Sequence, residues 1–142
     1  MSMEEKLNFQ TSQDFSATIL KPKSEEAIVE AIKHCYKKNI PLEINGLGSK
    51  KSIGKNFQSQ KTLDLSSYSG VIKYEPEELY IKVKSGTSIK AIKEELDKKS
   101  QQLAFEPNDF GSLFDGKSNE GTIGGVLSCN FAGPRRFKVG SA

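Results

Sequence analysis

The chain has 142 residues, 35% of them hydrophobic and 27% charged, with a formal net charge of +3. That length suits one domain with one core, and the small, dispersed positive excess argues against a DNA-coating surface. No apolar run approaches the ~20 residues of a membrane span, and one histidine, His34, excludes a histidine-based metal cluster.

The opening "MSMEEKLNFQ" is acidic and lacks the apolar stretch of a secretory signal. Residues 1–16 read as a flexible arm. "KPKSEEAIVEAIKHCYKKN" reads as a helix. Ser24 caps it, Glu25 and Glu26 lie at its positive end, and Lys33, Lys37 and Lys38 lie towards its negative end. Asn39 and Pro41 stop it. Ala27, Ile28, Ala31, Ile32, Cys35 and Tyr36 make one broad apolar face. "PLEI" and "KTLDLS" read as short strands. "GVIKYEPEELYIKVKSG" is a hairpin turning at Glu75 to Glu78, a solvated turn, with Leu79, Ile81 and Val83 on its buried face. Thr87 or Ser88 caps a second helix, lined by Ile89, Ile92 and Leu96. Glu94–Lys98 and Glu95–Lys99 are candidate i,i+4 pairs on its other side.

These elements predict an α+β fold, with residues 17–101 as a first lobe and both helices on one side of its sheet. Residues 102–142 are irregular apart from one short helix near 123–131. They read as the start of a second, incomplete lobe that leaves Ile123, Val126, Leu127 and Phe131 exposed. Cys35 and Cys129 have no metal or redox spacing and read as reduced thiols, Cys129 as a buried one. His34 reads as structural or superficial. Arg135 and Arg136 suit a phosphate, a partner subunit or solvent.

Two glycine-rich segments carry the functional signal. In "NGLGSKKSIG", Asn45 to Gly54, a Walker loop starting at Gly46 requires Gly-Lys where Lys51 and Ser52 stand. A Rossmann fingerprint requires glycine where Lys51 stands. Neither fits. The glycines nevertheless let successive N–H groups point into one concavity, with Ser49, Lys50 and Lys51 adding a hydroxyl and charge. In "GTIGG", Gly124 and Gly125 leave room for a ligand, and Thr122 precedes a helix whose N-terminus offers N–H groups. For each segment alone an ordinary turn remains a competing reading.

Taken as a pair, "INGLGSK" and "EGTIGGVLSCNFAGPRR" resemble the FAD-binding domain of the vanillyl-alcohol oxidase / p-cresol methylhydroxylase flavoproteins (the PCMH-type domain). "FEPNDFG" and "AGPRR" narrow the resemblance to the FAD-binding E subunit of bacterial glycolate oxidase. The resemblance implies the first lobe of a two-lobed FAD-binding domain, with non-covalent FAD. It implies that Asn45, Gly46, Leu47, Gly48, Ser49 and Lys50 wrap the pyrophosphate. Thr122, Ile123, Gly124 and Gly125 would pass under the cofactor, and Gly133 and Gly140 would approach the flavin. Where the family loop often has Arg-Gly-Gly-Gly-Ser, Asn45 and Leu47 replace the arginine and central glycine. Leu47 fits only at negative φ.

The implied parent oxidises a 2-hydroxy acid such as glycolate. It works with other subunits of a glycolate oxidase complex in the cytoplasm, reaching the inner membrane only peripherally through them. Catalytic residues are not assignable in this stretch, and the chain alone is expected to be inactive. A flavin-free assembly subunit retaining the fold is the alternative. A nucleic-acid binder is disfavoured, because aromatics do not interleave with the lysines.

Overall fold

The computed structural model describes residues 15–55, 58–114 and 116–140. The expected arm at 1–16 lies almost wholly outside them. Five strands and five α-helices follow in order: β1 (Ile19–Leu20), α1 (Glu25–Lys37), β2 (Leu42–Asn45), β3 (Lys61–Asp64), β4 (Val71–Glu75), β5 (Tyr80–Val83), α2 (Ile89–Asp97), α3 (Phe110–Phe114), α4 (Ile123–Cys129) and α5 (Arg136–Val139). The mixture is α+β, as the sequence predicts.

Local signals explain the helix ends. The Ser24 hydroxyl accepts from the N–H of Ala27, and Ser88 does the same for Ala91, so each cap satisfies a first-turn donor. Asn39 takes a left-handed φ of 51° just after α1, ending it where the sequence predicts. The hairpin turns through Pro76–Glu78, as expected. Leu79, however, is the left-handed cap of that turn and is 83% exposed. Only Ile81 and Val83 keep the inward alternation.

The strands form two sheets rather than one. In the first, β3 lies between β1 and β2, all parallel, with Leu20 beside Leu63 and Ile44 beside Leu63 on the other side. Helix α1 is the crossover between β1 and β2, the connection that parallel strands require. Leu20, Ala31, Cys35 and Leu63 form its core. Tyr36 at 83% exposure and Ile32 at 42% stand outside that core, so the apolar face is narrower than its sequence pattern. The second sheet is the β4–β5 antiparallel hairpin. It packs on α2 through Ile89, Ile92 and Leu96, with Tyr74, Ile81 and Val83 against them. The helices therefore serve separate sheets, which corrects the single-sheet expectation. On α2, Glu95 pairs with Lys98 and Glu94 with Lys90, instead of the predicted i,i+4 pairs.

Helix α4 also corrects an expectation. Ile123 (9% exposed) and Val126 (1%) complete the core of α2 and the hairpin. Leu127 is exposed, as predicted, and Phe131 is half-buried against Phe110. Burying a side chain of this size contributes ~1.5–3 kcal/mol, so α4 is held to the hairpin layer by its own apolar face.

Candidate functional site

Strand β2 ends at Asn45, the first residue of the first glycine segment, which is irregular from Gly46 to Gly54. Hydrogen bonds from Lys51 N–H to Gly48 O (3.1 Å) and from Ile53 N–H to Lys50 O (3.1 Å) fold it back on itself. Gly48 has φ +72°, a conformation that L side chains rarely adopt. Leu47 is absent from the positive-φ residues, as its side chain requires. Among the described residues, the N–H groups of Leu47, Gly48, Ser49 and Lys50 donate to no protein acceptor. Four consecutive donors are thus open to a ligand or to solvent.

The second glycine segment lies directly against the first. A Cβ on Gly46 would come within 2.6 Å of Thr122 Oγ1 and 2.9 Å of its Cγ2. Gly46 is bare because Thr122 occupies that space. Gly121, at φ +86°, faces the hydroxyl of buried Ser49 in the same way. Lys93 on α2 pairs with Glu120, fixing the approach to this segment.

The two segments together line a groove of about 450 Å³. Asn45 to Lys50 all border it, with Thr122, Gly124 and Gly125 opposite. Ile123 does not, since its side chain joins the core. Gly133 and Gly140 also stand outside it. Gly133, at φ +69°, is packed on the carbonyl of Glu106, while Gly140 faces open space. The groove includes Glu43, Leu65 and Ser85, which carry no sequence signal, together with Lys51, Ser128 and Cys129. Cys129 is exposed here rather than buried, and both cysteines are free. His34 does not border the groove and stacks on Phe15 at 4.3 Å.

The donors of the second segment differ from expectation. Thr122 caps α4, its hydroxyl accepting from Gly125 N–H at 3.3 Å. Ile123 N–H bonds Thr87 O (2.9 Å), Gly124 N–H bonds Ser85 O (3.0 Å), and Val126 N–H bonds Thr122 O (3.0 Å). The first-turn donors of Ile123, Gly124 and Gly125 are used internally, while the N–H of the cap residue Thr122 has no acceptor among the described residues. Residues 123–126 therefore shape the groove without supplying free N–H groups to it.

Lys50 supplies the charge. Its Nζ donates to Ser49 Oγ at 3.3 Å and lies 5.5 Å from the centre of the Phe110 ring, a cation–π contact. Among the described residues it has no carboxylate partner. Burial lowers its pKa below the ordinary lysine range, with Cys129 opposing that shift. An uncompensated cation beside four free donors is a site for an anion. The one carboxylate bordering the groove, Glu43, is engaged by the hydroxyls of Thr62 (3.2 Å) and Ser59 (3.5 Å). The described residues contain no cluster able to hold a metal ion, and none of their helices is long and apolar enough to cross a membrane.

A family model described as an FAD binding domain matches residues 16–142. The chain is 34% identical, over 116 residues, to glycolate oxidase subunit GlcE of Escherichia coli (strain K12); the match covers 82% of this chain and 31% of the relative. Its fold is shared with alkyldihydroxyacetonephosphate synthase, at a TM-score of 0.64 and 20% identity over 87% of this chain and 24% of that one. The cholesterol oxidase of B. sterolicum gives a TM-score of 0.55 at 21% identity, over 81% and 21%. The chain thus spans about a third of the curated relative and about a quarter of each solved structure. The donor set fits the diphosphate of such a cofactor: consecutive N–H groups, a hydroxyl and a cation converge on a wall kept open by glycine. The chain belongs to the FAD binding domain family, and FAD is its cofactor.

Proposed function

We propose that this chain binds the FAD of a 2-hydroxy-acid oxidising enzyme of the glycolate oxidase type. In this reading it grips the pyrophosphate along Leu47 to Lys50 and works alongside partner subunits. The observation that carries the binding mode is the run of four unpartnered N–H groups beside Lys50. The relative's name, glycolate oxidase subunit, supports the substrate class.

The flavin ring supplies the redox chemistry when bound, and the chain binds and orients it. Leu47 to Lys50 donate to the phosphate oxygens. Lys50 balances their charge. Thr122 holds the facing wall at van der Waals distance from Gly46, and Gly125 leaves that wall open. Glu43, engaged by two hydroxyls, is not placed as a substrate base, so the proton acceptor for the hydroxy acid belongs to other residues of the parent enzyme. In this reading the flavin is held without a covalent bond: His34 does not border the groove, and Cys129, which does, stays a free thiol.

Two measurements test this. FAD added to the purified protein should be quenched in fluorescence on binding. The full-length protein with its partner subunits should lose its oxidised-flavin absorbance when glycolate is added without oxygen. A colourless protein that leaves FAD fluorescence unchanged would instead indicate a flavin-free assembly subunit.

A further inference from the structure

Peptide geometry adds a positioning residue to the cofactor loop. The Asn119 side chain donates from Nδ2 to Leu47 O at 3.1 Å, across 72 positions of sequence. Its Oδ1 accepts from Gly121 N–H at 3.0 Å. Its own N–H donates to Asp109 Oδ1 at 2.8 Å. Asp109 also accepts from the N–H of Ser112 (3.0 Å) and from its hydroxyl (2.6 Å). The hydroxyl and N–H of Ser112, then the N–H of Asn119, hold the Asp109 carboxyl well below the usual carboxylate range. Asn119 is therefore fixed at its backbone by an ionised carboxylate and at its Oδ1 by Gly121. Its Nδ2 is left directed at one carbonyl.

In a trans peptide the C=O and the following N–H point in opposite directions. Holding Leu47 O thus sets the direction of Gly48 N–H. Asn119 does not border the groove, whereas Leu47 and Gly48 both do. A carbonyl held by a residue outside the groove leaves the N–H of the same peptide free to face it. Gly48, at φ +72°, has no Cβ to hold that peptide in one orientation. Without the clasp the peptide can flip and present a carbonyl oxygen to an incoming anion.

We propose that Asn119, steadied by Asp109, is the positioning residue that presents Gly48 N–H to the diphosphate of the cofactor. This rests on the reading that the diphosphate lies against Leu47 to Lys50. The test compares FAD with riboflavin, which has the same ring system and no phosphate, by fluorescence titration of the protein. Asn119→Asp keeps the shape and the acceptor for Gly121 but cannot donate to Leu47 O. It should weaken FAD binding roughly tenfold, the equivalent of one lost bond to a charged group, and leave riboflavin binding within about twofold. Asn119→Ser, too short to reach Leu47 O and free of the charge that aspartate adds, should show the same split. Equal losses for both flavins would mean that Asn119 only stabilises the fold, and unchanged FAD affinity would mean that the peptide needs no clasp. Either result overturns the proposal. If the parent protein itself binds FAD no more tightly than riboflavin, the diphosphate reading falls and the clasp with it.

Discussion

The two glycine segments look alike in sequence and differ in what their backbones do. Residues 47–50 leave four consecutive N–H groups without an acceptor among the described residues. At 123–126 every N–H is spent on Thr122, Ser85 or Thr87. The glycines divide in the same way. Gly48 is needed for its φ of +72° and has no neighbour closer than 3.8 Å to a built Cβ. Gly124 is needed for space, since a Cβ would stand 2.9 Å from Ser85 O. Glycine content alone therefore does not identify an anion site; unspent donors do.

The sharpest way to break this contrast is Gly48→Val. A β-branched residue is strained at positive φ, and relaxing that strain moves the donors. Losing two bonds to charged phosphate, at ~1.5–3 kcal/mol each, should weaken FAD binding about a hundredfold or more. Fluorescence titration reads this directly, and parental affinity would reduce the loop to a simple turn.

Lys50→Met comes next. Removing the half-buried cation should cost about tenfold in FAD affinity. It should also flatten a pH profile. Burial lowers the Lys50 pKa, so the ammonium that faces the diphosphate is lost as pH rises through that lowered value, before an ordinary lysine would titrate. FAD binding by the parent should weaken over that alkaline range. A parental profile as flat as that of the methionine variant would place the charge elsewhere.

Gly124→Ala probes the other segment. Crowding Ser85 should cost ~1–3 kcal/mol of stability, visible as a lower Tm. FAD and riboflavin affinities should keep their ratio, because no donor to the diphosphate is lost. A selective loss of FAD would show that α4 takes a direct part in anion binding.

The smallest effect is expected from Lys51→Ala. Lys51 borders the groove but is exposed, and an exposed charge contributes ~1 kcal/mol or less. Its loss should lower FAD affinity by less than about fivefold at low salt and less still at high salt. A change as large as that at Lys50 would erase the distinction between the two lysines.

What the sequence determined by itself is local. The Ser24 and Ser88 caps, the Asn39 stop, the turn at Pro76–Glu78 and the Ile89, Ile92, Leu96 stripe are each set within a few residues, and each is where its pattern predicts. The two glycine segments were legible for the same reason, because a bare run stands out in any short window. What only the tertiary structure decided depends on partners far apart in the chain. β1 joins β3 across 43 positions, as in the Ile19–Thr62 pair, and this gives two sheets where the strand pattern suggested one. Ile123 turns inward because α2 and the hairpin offer it a core. Gly46 is bare on account of Thr122, and Gly133 on account of Glu106. Whether an N–H is free depends on whether a distant carbonyl, such as that of Ser85 or Thr87, reaches it first. Periodicity and composition carry no record of that competition, because a hydrogen bond is settled by distance and direction in the folded chain.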